Sequence, residues 1–252
     1  MARTLVWTIT LALLVAGAVG AETHDRYWPT WRGPDQNGVS PSGDPPVRWS
    51  ESENVRWKVE LEGRRLSTPV TWEDRIFLMS AVALDSEAYA QSQEAAAAKR
   101  ERQEWPPAVE PVRQRFVVQA RSRADGSLVW ERVAAERTPH EPHYIDSSFA
   151  SASPVTDGEV LLAHFGSNGL YAFDLDGEPL WSVDLGDMRT RNGFGEGASP
   201  AIHGDHVVVN WDHEDESFVV ALDRKTGREL WRTSRPDEVS TWATPLVVDS
   251  AR

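Results

Sequence analysis

The sequence of 252 residues contains no cysteine. That excludes disulfides, thiolate metal sites, thiol nucleophiles and lipid attachment through an N-terminal Cys. Basic residues are also scarce: 26 Lys and Arg stand against 39 Asp and Glu, a formal charge of −13. A chain so poor in cations has no face dense enough to neutralise phosphates, so nucleic acid and anionic membranes are excluded as main partners. Long hydrophobic runs are lacking too. The apolar run from Leu5 to Val19 has 15 residues, short of the roughly 18 to 20 needed to cross a bilayer. With Arg3 before it and Val19-Gly20-Ala21 after it, it predicts a signal peptide over residues 1–21, cleaved before Glu22. The mature chain, 22–252, is then periplasmic or secreted, with no membrane span after cleavage. No Gly-x-Ser-x-Gly elbow, phosphate loop or His-Glu-x-x-His motif occurs, so no residue is assigned a catalytic role.

Tryptophan, by contrast, is abundant, with twelve residues. Self-alignment shows why. ALDRKTGRELW (Ala221 to Trp231) lies over AFDLDGEPLW (Ala172 to Trp181), one residue shorter, and over ARSRADGSLVW (Ala120 to Trp130), so the three tryptophans are 51 and 50 residues apart. A second marker, Ser or Thr followed by Pro, recurs at Pro154, Pro200 and Pro245 with spacings of 46 and 45. An earlier copy, Thr68-Pro69, precedes Pro154 by 85 residues, the excess being an insertion between Ala83 and Val112. Trp57 reads as an earlier copy of the repeat Trp.

Each period reads as short strands joined by turns. SASPV, EVLLAHF, LYAFDL and PLWSVDL are separated by Asp157-Gly158, Ser167-Asn168-Gly169 and Asp176-Gly177, the Asx-Gly chemistry of tight hairpins. A period of about 45 to 50 residues with four antiparallel strands predicts an all-β fold, a β-propeller. Gly126, Gly177 and Gly227 fall at turns, and Trp130, Trp181 and Trp231 follow in the outer strand of each blade. A ring placed identically in every copy is assigned to packing between blades.

These residues resemble a known family. The A-x-D-x-x-T-G-x-x-x-W run, complete in Ala221 to Trp231, is similar to the repeat of PQQ-binding-like, or quinoprotein-type, propellers. Trp28-Pro29-Thr30-Trp31-Arg32-Gly33-Pro34, TPHEPHYIDSSFASASPVTDG, RNGFGEGASP and STWATPLVV extend the resemblance to secreted members from environmental bacteria and to the outer-membrane protein assembly factor type. The resemblance implies an extracytoplasmic propeller acting as a binding scaffold for a protein, small-molecule or glycan ligand not identified by the sequence. The alternative it implies is a PQQ-dependent dehydrogenase with calcium-bound quinone, an Asp base and, in the alcohol-oxidising branch, a cysteine pair that this chain lacks. The cofactor is otherwise unassigned. Blade arithmetic from Trp57 onward gives about three and a half blades, the expectation being an N-terminal portion of a ring of 7 to 8. The Val55 to Leu61 stretch is expected to complete a blade as a strand, and WATPLVV to open a fourth.

The insertion, 85–105, predicts a helix of about 18 residues, capped by Asp85 or Ser86, stopped by Pro106-Pro107, and solvated on nearly all sides. Binding candidates lie in the loops entering each first strand, where propeller ligand sites gather: His140, His143 and Asp146 before the second blade, Arg191, Asn192 and Glu196 before the third, and Trp242 before the fourth. Glu141, Tyr144, Arg189, Phe194, Glu238 and Ser240 share those loops. His140 and His143 have metal-ligand character, but without a helix to align them no metal is assigned. His203 and His206, and the Asp212-His213-Glu214-Asp215 tip, read as exposed turns.

Overall fold

The computed structural model describes residues 26–248. The expected signal segment, 1–21, lies outside the described residues. Three four-stranded antiparallel sheets follow one another along the chain. The first contains β1 (Val70–Trp72), β2 (Arg75–Ala83), β4 (Gln114–Ser122) and β5 (Leu128–Arg137). The second contains β7 (Val155–Thr156), β8 (Leu161–His164), β9 (Leu170–Phe173) and β10 (Pro179–Val183). The third contains β11 (Ala201–His203), β12 (His206–Trp211), β13 (Phe218–Asp223) and β14 (Glu229–Ser234). These are the blades that the repeat predicts, each a meander in sequence order.

Packing explains the composition of the middle strands. Leu161 and Ala163 of β8 join Phe77, Met79, Phe116 and Val118 of the first blade in one core, whereas Leu162 joins Val207, Val209, Trp211 and Val220 of the third blade in another. A sheet buried on both faces needs apolar side chains at every position, so β8 reads as a continuous run rather than an alternating one.

The repeat tryptophans close the gaps between blades. The Trp57 indole lies against Gly126, Trp130 against Gly177 and Trp181 against Gly227, so close that a Cβ at any of these glycines would come within 2.7 Å of a ring atom. All three glycines also have positive φ, which other residues adopt at a cost. Each indole Nε1–H donates to a carbonyl in the same turn: Trp57 to Arg123 at 3.0 Å, Trp130 to Leu175 at 2.9 Å and Trp181 to Arg224 at 2.8 Å. The turn that carries Leu175 is one residue shorter, and the bond is kept. Trp231 differs from its counterparts: it is 44% exposed.

The Ser/Thr-Pro marker has an equally direct cause. The Thr68 backbone N–H donates to the Ser153 hydroxyl at 2.9 Å, the Ser153 N–H to the Ser199 hydroxyl at 2.9 Å, and the Ser199 N–H to the Thr244 hydroxyl at 3.4 Å. Each blade's innermost segment is thus tied to the next. Thr244 takes the position that the repeat assigns it, although residues 242–248 form no strand.

The WPTWRGP motif covers the inner edges. Trp28 pairs with Thr71 of β1, whose N–H donates to the Trp28 carbonyl at 2.8 Å, and the Thr156 N–H of β7 donates to the Pro29 carbonyl at 2.9 Å. Thr30, Trp31 and Arg32 then share a cavity with Pro200, Ala201 and Pro245. Edge groups that would otherwise be unpaired are satisfied by the chain itself.

Three expectations are corrected. Residues 55–61 form no strand; Trp57 is held by its ring and not by ladder bonds. The inserted helix, α1 (Ser86–Glu101), has 16 residues, capped by Asp85, which accepts from the Ala88 N–H at 2.9 Å. It is also docked and not free. Ala96 is buried, the Ser92 hydroxyl accepts from the Glu110 N–H at 2.7 Å, and Arg100 pairs with Asp146 at 2.8 Å. The surface it docks on includes a two-stranded sheet of β3 (Ala108–Val109) and β6 (His143–Tyr144). Finally, Asp212 and His213 are buried rather than exposed at a hairpin tip. The Asp212 carboxylate accepts a bidentate bond from Arg235 at 2.8 and 3.0 Å and another from the Thr241 hydroxyl at 3.1 Å, a set of partners that serves structure.

Candidate functional site at the blade-entry loops

The loops preceding β7 and β11, and the segment after β14, come together on one side of the blades. The structure sorts the sequence candidates there into three groups.

The first group lies apart from the polar cluster and the aromatic patch. The buried His143 ring donates from Nδ1 to the Tyr144 carbonyl at 2.7 Å and accepts at Nε2 from the Tyr89 hydroxyl of α1 at 3.0 Å. Burial lowers its pKa to about 4, so the ring is neutral and fully engaged. Asp146 is taken by Arg100. The Arg191 backbone N–H donates to the Ser240 hydroxyl at 2.9 Å, and Asn192 sits at an exposed turn with φ of 54°.

The second group is a polar cluster. Ligand atoms of His140, Glu141 and Glu196 lie within 4.8 Å of one another. His140 bonds through Nε2 to the Met188 carbonyl at 2.7 Å. Glu141 accepts from the Thr190 N–H at 3.0 Å and hydroxyl at 2.6 Å. Glu196 accepts from the Ser167 N–H at 2.6 Å and hydroxyl at 2.5 Å. Burial pushes the Glu196 carboxyl up to about 7, against the Ser167 hydrogen bonds that favour the charged form. Spacing along the chain pairs His140 with His143; the fold instead sets His140 beside Glu196 from the next blade's loop.

The third group is aromatic. Phe194 makes edge contacts with Trp105, Tyr144 and Trp242 at centroid distances of 5.7, 5.6 and 5.8 Å, and Trp105 lies 5.5 Å from Tyr144. Trp242 is held in place by its Nε1–H, which donates to the Gly195 carbonyl at 2.7 Å. Trp105 remains 60% and Trp242 42% exposed. Four rings from four separate segments thus form one solvent-facing patch. Sequence reasoning misses Trp105, because it stands at the end of the insertion, and nothing local ties that end to the entry loops.

A quinone cofactor is implied by the resemblance, and the cavity at the entry loops does not fit it. The cavity bounded by His140, Glu141 and Glu196 has a volume of about 20 Å³, room for a single water-sized group. At the inner edges Trp28 and Pro29 pair with Thr71 and Thr156, and Thr30, Trp31, Arg32 and Gln36 line a cavity with Pro200 and Pro245.

A family model described as outer membrane protein assembly factor BamB matches residues 114–250. No curated protein matches the chain. Among solved structures, quinohemoprotein alcohol dehydrogenase ADHIIG from Pseudomonas putida HK5 is 18% identical over 84% of this chain and 27% of its own, with a TM-score of 0.45. Quinohemoprotein alcohol dehydrogenase from Comamonas testosteroni is 14% identical over 82% and 27%, with a TM-score of 0.47. BamB from Moraxella catarrhalis is 17% identical over 73% and 55%, with a TM-score of 0.36. The chain therefore spans about a quarter of those dehydrogenases and about half of that assembly factor. With the family match covering more than half of its residues, the chain belongs to the PQQ-like repeat propellers described as outer membrane protein assembly factor BamB.

Proposed function

We propose that this chain is an extracytoplasmic binding scaffold that engages a protein partner through the aromatic patch of Trp105, Tyr144, Phe194 and Trp242. The observation that carries the reading is the exposure of two indoles packed against Phe194. Trp242 is hydrogen-bonded at Nε1 and both indoles flank Phe194, yet large apolar faces remain in water. Pre-positioned tryptophan and tyrosine rings are the residues from which protein interfaces draw most of their energy, because little side-chain freedom is lost on binding. Export is supported by the signal pattern of residues 1–21 and by the outer-membrane description of the family. The mature unit on this reading is 22–252.

Photo-crosslinking tests the surface. A benzoylphenylalanine at position 105 or 242 is expected to trap one discrete partner in cells, and one at position 231 is not. Equal labelling from all three positions, or none from 105 and 242, would overturn the assignment. N-terminal sequencing of the exported protein should begin at Glu22.

A further inference from the structure

We propose that His140, Glu141 and Glu196 bind one divalent transition-metal cation, which ties the loop before β7 to the loop before β11. Three side chains that converge within 4.8 Å supply one imidazole and two carboxylates, a mixed N/O set suited to zinc-like cations rather than to calcium. Each is oriented by a partner that leaves lone pairs free. The His140 Nε2–H donates to the Met188 carbonyl, which leaves Nδ1 as the ligand atom. Thr190 holds Glu141 and Ser167 holds Glu196, each through one backbone N–H and one hydroxyl. Metal sites are built this way, with hydrogen bonds behind every ligand.

The charge balance points the same way. Among the described residues no Lys or Arg forms an ion pair with Glu141 or Glu196, and Arg189, which acts on Glu141 through space, is forked onto Asp215 at 2.7 Å. Asp187 adds a further anion 3.8 Å from His140 Nδ1. A second, independent observation comes from His164. It lines the same cavity and is 1% exposed. Its Nδ1–H donates to the Ala198 carbonyl at 3.0 Å, while its Nε2 is buried without a hydrogen-bond partner. A buried acceptor left unpaired is costly. The unpaired Nε2 thus opens on a cavity with room for about one bound group, the size of a single cation.

The test is calorimetric titration of the chelator-treated full chain with Zn²⁺. One-site binding is expected, weakened about tenfold or more by His140→Ala and by Glu141→Gln, and unchanged in a His203→Ala, His206→Ala variant that removes the exposed histidine pair. His140 is exposed, so its variant is expected to fold with an unaltered circular dichroism spectrum, which keeps the comparison interpretable. Ca²⁺ is expected to bind at least about tenfold more weakly. Absence of saturable Zn²⁺ binding overturns the site. So does binding that survives His140→Ala but is lost with His203 and His206.

Discussion

Ser153 donates its backbone N–H to the Ser199 hydroxyl at 2.9 Å, across the gap between the second and third blades. The same bond links Thr68 to Ser153 and Ser199 to Thr244. Pro follows each of these residues and has no N–H of its own, so the hydroxyl position is where a blade offers its neighbour a polar hold. The repeat of Ser/Thr-Pro in the sequence is the imprint of this chain of bonds.

Replacing Ser199 by Ala leaves the buried Ser153 N–H without an acceptor, and is expected to cost about 1–3 kcal/mol. Ser199→Thr keeps the oxygen and should cost less. Urea midpoints at matched slopes measure both. Equal midpoints for wild type and Ser199→Ala would show that the bond contributes nothing.

The repeat tryptophans should not be equivalent. Trp130 is 8% exposed and Trp231 44%, with Trp181 partly buried between them. Trp130→Ala is expected to cost about 3–5 kcal/mol, Trp181→Ala less, and Trp231→Ala below about 1 kcal/mol, as for other surface changes. The sequence predicts similar losses for Trp181 and Trp231, because the motif is the same; burial depends on whether a following turn packs on the ring, which the motif does not encode. The order of denaturation midpoints decides, and a Trp231 loss as large as that of Trp130 would refute the ranking.

Burial lowers the pKa of His164 from 6.5 to about 4. The folded state binds this proton less readily than the unfolded chain. The stability associated with the neutral ring is therefore fully present above pH of about 6.5 and lost as pH falls towards 4. His164→Gln, which cannot take up the proton, should show a shallower loss of stability over this interval. Parallel curves for wild type and variant would mean that the ring protonates freely in the folded protein.

Much of the fold is legible in the sequence because it rests on local chemistry. Asp-Gly and Thr-Gly turns mark the hairpins, and the continuous apolar run at β8 marks a sheet covered on both faces. Asp85 starts α1 through a side-chain bond to the Ala88 N–H. What is not legible depends on contacts between distant segments. β3 and β6 have two residues each and pair across the β4–β5 hairpin, too short to leave a periodic signal. The candidate site divides in the same way. Position in the entry loops identifies Glu196 and Trp242, but neither the meeting of Glu196 with His140 nor that of Trp105 with Phe194 follows from spacing. The helix is amphipathic in too weak a sense to show its docking face, since its contacts are made by Ala96, Ser92 and Tyr89 rather than by a stripe of large apolar residues.

The claim that this propeller binds rather than oxidises is tested most directly by equilibrium dialysis of the full chain against PQQ in the presence of calcium. The small cavity at the entry loops predicts no saturable retention of the quinone and no change in tryptophan fluorescence. Stoichiometric retention, with quenching that saturates at one quinone per chain, would contradict the scaffold reading and restore the dehydrogenase.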